Sequence, residues 1–496
     1  MKNFKIALML IFLLFFTGCG ISSGIQGDMI STPKNKKITI SGTWNITKYK
    51  IVNDKLANKA VLDNMIGKAI GFGIERSFFL DEIAASPRYY SRKSSASYFF
   101  VNYYNINPRT LNINDYEIDV VTVYSDDKLF IEFIPLDEEN GVVYYEGAFL
   151  YVERVSTEEP TYVADKDITS KDSSSGILLA LGSDQGFARY QEQDVNQSPY
   201  RTLWLSWDND GLKDIYQIED ILLPRSREFW SIGVNRSLDN GSTWERINAV
   251  KLEEENISID NKAIEKATSS HDRYVNINFV GIDYMTIEVL EEHSSGLYSK
   301  KLKALHIDNI NKSEGAKLEG VKLSDIIGKV GKTTIEQSAQ ATLNTINSDD
   351  RDKFESSPRE DSFSVTRRNG HWIMIGRLNS LIEGYEDKYL DFNINILPTS
   401  KLVGEDRLFL SWNKVKEQLP KAIDIYTSPN QDIAIVITEE ELLIYRINNG
   451  GIIDIPLFSF KLNPTEKVVM AQWATGSQVE KWDEIVKELG EEIKEN

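Results

Sequence analysis

The sequence predicts a mainly β protein that ends in a short C-terminal helix. Two observations predict the strands: short runs of β-branched and aromatic residues recur along the 496-residue chain, and polar or glycine-containing turns separate them. A third observation, a helical period of apolar residues near the end of the chain, predicts the helix. Residues 156–176 are rich in Ser, Asp, Glu and Thr and are interpreted as a linker between two β-rich regions, 37–155 and 177–475.

The first β-rich region is expected to open with a strand that contains Ile38, Ile40, Trp44 and Ile46. Apolar residues at helical spacing predict a helix within residues 55–68. Further strands are predicted at residues 98–104, 118–124, 129–134 and 142–155, with turns at Asp126-Asp127 and at 137–141. Several short strands at regular spacing are typical of a sandwich or a barrel.

Gly42-Thr43-Trp44 lies in the predicted opening strand and resembles the Gly-x-Trp motif of lipocalins and avidins. The resemblance covers roughly 115 residues and implies a lipocalin-like β-barrel in which Trp44 plugs the closed end. It also implies a small hydrophobic ligand inside the barrel. The alternative is that Trp44 is a core aromatic residue on an ordinary strand.

The second region contains a faint repeat in which an Asn-Gly turn is followed by tryptophan, at residues 236–244 and 368–372. In the first copy Ser237, Asp239, Gly241, Thr243 and Trp244 match the Asp-box of sialidases and related β-propellers. The resemblance implies structural roles: Asp239 caps backbone amides, Gly241 adopts positive φ and Trp244 packs beneath the turn. A chance hairpin is the alternative.

At 40–50 residues per blade, residues 177–475 would form a β-propeller of six or seven blades. The resemblance to sialidases does not extend to activity, because their Phe/Tyr-Arg-Ile-Pro segment is absent from this sequence.

Residues 476–496 are predicted to form the C-terminal helix. One face carries an apolar stripe of Val479, Trp482, Ile485, Val486 and Leu489, and Ser477 with Glu480 forms a predicted capping box. The stripe is expected to pack on the adjoining domain, with a partner-binding helix as the alternative.

The N-terminal residues have the pattern of a secretory signal. Lys2 and Lys5 precede an apolar run of about 11 residues, which is too short to span a bilayer, and Thr17-Gly18 precede Cys19. The cysteine after small residues resembles the lipobox of bacterial lipoproteins, although Phe16 departs from the usual aliphatic residue. The resemblance implies a signal peptide over 1–18, removal before Cys19, diacylglycerol on its sulfur and a lipidated, flexible tether over 19–36. The alternative is an ordinary secretory signal.

Cysteine content and charge exclude several classes of protein. Cys19 is the only cysteine, so an acylated chain has neither a disulfide nor a cysteine-ligated metal site. The formal net charge of −19 disfavours nucleic acid, which requires basic patches. The expected partners are the membrane, through the acyl group, and a protein or glycan.

One acidic loop is a candidate metal site. Asp208, Asp210 and Asp214 offer carboxylate oxygens, the ligands that calcium prefers, and Glu219 stands twelfth from Asp208. The EF-hand spacing fails because glycine is fourth rather than sixth, and a solvated acidic turn is the alternative. A structural calcium ion is the one cofactor that the sequence suggests.

No catalytic motif emerges elsewhere. The four histidines do not have metal-ligand spacing, and residues 328–333 lack the first glycine of a phosphate-binding loop because position 326 is Ile. The sequence therefore favours an extracytoplasmic, lipid-anchored binding or scaffold protein without catalytic activity. A hydrolase acting on surface glycans through the propeller mouth and a carrier of small hydrophobic ligands are the alternatives.

Overall fold

The computed structural model describes residues 38–54, 56–80, 82–85, 87–104, 106–125, 128–160, 174–183, 198–225, 228–239, 242–252, 274–292, 298–312, 318–382, 388–404, 406–410, 412–448 and 450–493. The chain divides into two units, Met1–Thr39 and Ile40–Asn496, and only residues 38 and 39 of the first unit are described. The predicted signal peptide, Cys19 and the tether over 19–36 lie outside the described residues. The fold is mainly β, as predicted.

A nine-stranded antiparallel sheet occupies the N-terminal part of the second unit. Its strands are β1 (Gly42–Ile51), β2 (Ala69–Phe72), β3 (Arg76–Phe79), β4 (Glu82–Ala85), β5 (Arg88–Ser95), β6 (Glu117–Ser125), β7 (Lys128–Pro135), β8 (Asn140–Tyr145) and β9 (Ala148–Ser156). The strand order is β4-β3-β2-β1-β9-β8-β7-β6-β5. The sheet curls, and two observations show this. Only two residues of chain separate its end strands, β4 and β5, and the Tyr89 hydroxyl of β5 donates a hydrogen bond to the Gly73 carbonyl beside β2 (2.7 Å).

Trp44 lies at the centre of one face of this sheet and is fully buried. Its indole N–H donates to the Ile40 carbonyl at 2.9 Å, the Phe133 ring lies 4.8 Å away, and the Arg154 guanidinium lies 4.3 Å above the indole. Gly42 has φ of 117°, and a Cβ there would lie 1.9 Å from the Ser156 carbonyl oxygen. The glycine of the Gly-x-Trp motif is therefore required by the close approach of β9 to β1.

Two helices accompany the nine-stranded sheet. α1 (Lys59–Met65) confirms the helix predicted within 55–68, whereas α2 (Ala96–Tyr104) shows that the strand predicted at 98–104 is wrong. Phe99, Phe100, Tyr103 and Tyr104 recur at helical spacing, so an α-helix places them on one face, where both phenylalanines are fully buried. Pro108–Leu111 forms a 3₁₀ helix after α2.

Five antiparallel sheets follow within the described residues. The first contains β10 (Ser175–Ser183), β11 (Tyr200–Asp208), β12 (Gly211–Leu212), β13 (Ile215–Glu219), β28 (Glu466–Thr475) and β29 (Glu491–Ile493). The second contains β14 (Ile221–Arg225), β15 (Glu228–Asp239) and β16 (Ser242–Lys251). The third contains β17 (Val275–Val280), β18 (Tyr284–Glu292) and β19 (Tyr298–His306). The fourth contains β20 (Phe363–Arg368), β21 (His371–Asn379) and β22 (Tyr389–Asn393). The fifth contains β23 (Asp424–Thr427), β24 (Ile433–Ile437), β25 (Glu441–Asn448), β26 (Gly451–Ile452) and β27 (Phe458–Lys461).

Each of these sheets packs against the next, and the fifth packs against the first. One core cluster joins the first three sheets, and the Phe279 ring lies 4.8 Å from Trp372 between the third and fourth. Arg367 joins the fourth sheet to Asp424 of the fifth at 2.9 Å, and Leu179 of the first sheet shares a core cluster with Ile435 of the fifth. We call this arrangement the ring. The length of residues 177–475 predicts six or seven such sheets, and the described residues contain five.

The ring carries helices that sequence analysis did not predict. They are α3 (Leu323–Ile327), α4 (Lys329–Leu343), α5 (Ser348–Arg351) and α6 (Trp412–Gln418), with a 3₁₀ helix at Ile307–Lys312. The buried side of α4 includes Gly331, Thr334 and Ala339 beside larger apolar residues. These small or polar residues obscure the apolar period that would otherwise have predicted the helix.

The C-terminal helix α7 (Ser477–Leu489) packs its predicted stripe on the core of the first three sheets. The predicted capping box is wrong: the N-cap is Gly476, and no side chain caps the first turn. The helix also ends before residue 496, because the chain leaves it at Gly490 and forms β29 against β13. Among the described residues, no helix combines the length and the apolar character needed to cross a membrane.

Candidate functional site

Among the described residues, a cleft of about 1170 Å³ lies between the nine-stranded sheet and the ring. One wall is formed by β5, β6, β7, β8 and α2, and the opposite wall by α4, by Asn393 at the end of β22 and by residues 395–400, 403, 404, 406 and 407. Much of the sheet-side wall, including Tyr90, Thr122 and Glu132, lies on the sheet face opposite Trp44, whereas Phe79 and Tyr145 line the cleft from the Trp44 face. The strand register shows this, because Tyr90, Thr122 and Glu132 align across β5, β6 and β7, whereas Phe133 points to the Trp44 side.

Tyrosines dominate the sheet-side wall. Six line the cleft: Tyr90, Tyr103, Tyr104, Tyr124, Tyr144 and Tyr145. Tyr90 and Tyr124 pack edge to face with ring centroids 5.5 Å apart, and Tyr104 and Tyr144 pack at 4.5 Å. Tyr90 remains 43% exposed, so the cleft contains an accessible aromatic surface.

Hydrogen bonds hold the two walls of the cleft together. Asn395 Nδ2 donates to Tyr124 Oη at 2.9 Å, and the Tyr103 hydroxyl donates to Gln337 of α4. Farther along, the Ser400 amide and hydroxyl donate to the Glu146 carboxylate at 2.7 and 2.9 Å. These contacts fix the tyrosines relative to the ring, so the cleft is largely preformed.

The hydroxyls of Tyr124 and Tyr144 stay protonated across biological pH. Burial raises the pKa of Tyr124, and burial together with the nearby Glu146 carboxylate raises the pKa of Tyr144 to about 12. A neutral phenol both donates and accepts hydrogen bonds, so these side chains suit a ligand rich in polar, uncharged groups.

The charged residues of the cleft already have partners. They are Glu82, Arg88, Arg92, Glu132, Glu146, Asp406 and Arg407, and each interacts with another group of the protein. Arg92 lies 3.3 Å from Glu132, which also accepts from Thr122 at 3.3 Å. Asp406 pairs with the buried Arg367 at 2.9 Å. Of the seven, Arg92, Glu132 and Asp406 are held in ion pairs within the protein.

The acidic loop proposed for calcium lies elsewhere, beside a second cleft of about 550 Å³ that Asp208, Asp214 and α7 line. Lys213 Nζ lies 2.8 Å from Asp208 and 3.6 Å from Asp210, so an ammonium group stands between these two carboxylates. Across the described residues, no group of three or more His, Cys, Asp or Glu side chains is placed to hold a metal ion.

The Asp-box segment forms the tip of the β15–β16 hairpin. Ser237 pairs with Trp244 and Asp239 with Ser242 across the two strands, which leaves a two-residue turn. Gly241 and Asn240 lie outside the described residues, as do the side chains of Asp239, Thr243 and Trp244. The related Asn369-Gly370 turn is described: φ is 53° and 81°, as a tight hairpin turn requires.

None of the cleft residues is a candidate site residue from the sequence patterns. Cys19 lies outside the described residues, and Trp44 lies in a packed environment on the sheet face opposite Tyr90. One signal could have found the cleft: ten of the chain's 22 tyrosines lie between residues 89 and 151. The opposite wall has no such signal, because its short polar segments come together only through the fold.

Comparisons with known proteins do not identify a family. No protein-family model matches the chain, and no curated protein matches it. A Bacteroides uniformis structure, provisionally assigned as a 6-phosphogluconolactonase, is 12% identical, with a TM-score of 0.16 over 70% of this chain and 96% of that one. A protein of unknown function from Desulfotomaculum acetoxidans has 12% identity and a TM-score of 0.13, over 70% of this chain and 95% of that one. The WD40 domain of SCAP from fission yeast has 8% identity and a TM-score of 0.13, over 73% of this chain and 91% of that one. Similarity at these scores carries no argument about fold or function.

Proposed function

We propose that this protein is an extracytoplasmic, lipid-anchored binding protein whose ligand site is the tyrosine-lined cleft. The observation that carries the proposal is the cleft itself: about 1170 Å³, lined by six tyrosines and braced by hydrogen bonds between its walls. Binding sites are usually concave, largely preformed and lined by aromatic residues with a few polar groups.

The carboxylates of the cleft support binding rather than hydrolysis. A glycoside hydrolase needs two carboxyl groups free to act as acid, base or nucleophile. Glu132 is engaged by Arg92 and Thr122, and Glu146 is engaged by Ser400. The carrier alternative has less support, because Phe133 and Arg154 fill the space around Trp44.

Two finer architectural assignments belong to the same proposal. The nine-stranded sheet, with its consecutive end strands and its Gly-x-Trp motif, is a lipocalin-like barrel. The ring is a β-propeller, and the pairing of β28, which precedes α7, with the ring's first strand, β10, ties the two ends together.

A matched pair of tryptophan substitutions on α4 tests the binding site. Ala341 lines the cleft, whereas Glu336 is exposed on the same helix and does not line it. The full chain is applied to glycan and peptide arrays. Ala341→Trp should remove the signals of the unmodified protein because the indole fills the cleft, and Glu336→Trp should keep them. Signals that survive Ala341→Trp would show that the ligand site lies elsewhere.

The anchor is tested separately in the bacterial cell. Cys19→Ala should stall processing or release the protein into the medium, and should abolish incorporation of labelled palmitate. A fully processed variant that still fractionates with the membrane would contradict lipidation at Cys19.

A further inference from the structure

We propose that the cleft binds an extended chain of uncharged sugars. This inference rests on the proposed binding function and specifies the ligand of the same site. Three properties of the cleft carry it: its paired charges, its exposed aromatic surface and its size.

The paired charges favour an uncharged ligand. The seven charged residues of the lining all interact with groups of the protein, as for Arg92 with Glu132 and Asp406 with Arg367. A charged ligand that reached Arg92, Glu132 or Asp406 would have to break an ion pair that the protein already forms, and it would have to leave water to do so. Polyanionic chains and charged peptide segments are therefore poor occupants.

The aromatic surface and its polar neighbours suit a sugar. The C–H face of a pyranose ring packs on an aromatic ring, while its hydroxyl groups donate and accept hydrogen bonds. Tyr90 presents the accessible ring, and Tyr124 supports it edge to face. Hydroxyl and amide side chains line the same cleft on both walls, among them Thr122, Gln337 and Asn395.

The size of the cleft favours a chain over a single sugar. Pockets for small molecules usually have volumes of ~300–1000 Å³. The present cleft has about 1170 Å³ and extends from β5 past α4 to Ser400. Several sugar units in a row would occupy it.

Calorimetric titration of the full chain with defined hexasaccharides tests the inference. Cellohexaose, laminarihexaose and chitohexaose are the uncharged probes, and hexagalacturonate is the anionic probe. At least one uncharged probe should bind. Tyr90→Ala should weaken that binding by about fivefold, because the stacking surface is lost.

Two further variants control for folding and for tyrosine content. Tyr90→Phe keeps the ring and should retain binding to within about twofold. Tyr116 is 81% exposed and does not line the cleft, so Tyr116→Ala should also retain binding. Unchanged thermal midpoints would show that the variants fold.

Three results would overturn the sugar inference: no uncharged probe binds, hexagalacturonate binds more tightly than the uncharged probes, or Tyr90→Ala has the same effect as Tyr116→Ala. If Ala341→Trp abolishes array signals from peptides while no uncharged sugar binds in calorimetry, the sugar inference is wrong and the binding function stands. If Ala341→Trp changes no ligand signal, both proposals fail.

Discussion

Asp220 is a mostly buried acidic residue, and its burial disfavours the ionised carboxylate. It connects β13 to β14 with φ of 63°, and the Ser198 hydroxyl donates to its carboxylate at 2.5 Å. Burial raises its pKa from 3.8 to about 6, although the Ser198 bond acts in the opposite direction. The folded protein therefore holds this proton more tightly than the unfolded chain does. The resulting contribution to stability is full below pH 3.8 and is lost as the pH rises through about 6.

Asp220→Asn should therefore stabilise the protein at neutral pH. Asparagine tolerates positive φ, keeps an acceptor for Ser198 and carries no charge, so the gain at pH 7.5 should be about 1–3 kcal/mol. Urea unfolding at pH 7.5 and at pH 4 measures it, and the gain should shrink at pH 4. The exposed Asp119 of β6 supplies the control, Asp119→Asn. Equal stability of Asp220→Asn and the parent protein at pH 7.5 would show that Asp220 carries no such penalty.

The C-terminal helix α7 stabilises the ring by packing one face on it, while its other face is exposed. Its apolar stripe packs on the core of the first three sheets, Val486 is fully buried, and Trp482 lies 5.9 Å from Trp204 between ring centroids. The Trp204 indole N–H donates to Asp483 at 3.1 Å. Because the helix then continues into β29, it covers the first sheet and also supplies that sheet with an edge strand.

Val486→Ala should destabilise the protein by about 2 kcal/mol, because two buried methyl groups are lost and a cavity remains. Urea denaturation followed by tryptophan fluorescence measures the change. Glu488 is exposed on the same helix, so Glu488→Ala should stay within about 0.5 kcal/mol of the parent. Equal effects of the two substitutions would mean that the α7 contact contributes nothing measurable to unfolding.

At the scale of the whole molecule, the walls of the cleft couple the nine-stranded sheet to the ring. Tyr103, Tyr124 and Glu146 each form a side-chain hydrogen bond with the ring. Each part also has its own core cluster. Loss of the bonds should therefore loosen the connection without unfolding either part.

The combined variant Tyr103→Phe, Tyr124→Phe and Glu146→Ala tests this coupling. The bonds should contribute about 3 kcal/mol together, so differential scanning calorimetry should show a broader or divided transition at lower temperature. The exposed residues Tyr98, Tyr116 and Glu153 allow a control with the same three types of substitution. A calorimetric profile that matches the control would show that the two parts are not coupled through these bonds.

Local sequence patterns predicted the elements that depend only on the order of their own residues. The β-branched runs predicted β6 and β7, the Asn369-Gly370 pair predicted its tight turn, and the α7 stripe predicted the buried face of that helix. Each prediction depends on the periodicity of the element's own residues or on the φ angles that a turn requires. Both are local properties that do not depend on a distant contact.

Tertiary structure alone decided the rest. The aromatic run of α2 has both strand propensity and helical spacing, and packing of Phe99 and Phe100 beneath the helix settles the choice. The candidate site is the clearest case, because Tyr90 and Asn395 are separated by 305 residues and line one cleft. Sequence by itself determined a mainly β chain with a lipobox-like cysteine and an acidic balance. The cleft exists only because the nine-stranded sheet packs against the ring, and no local pattern in the sequence encodes that contact.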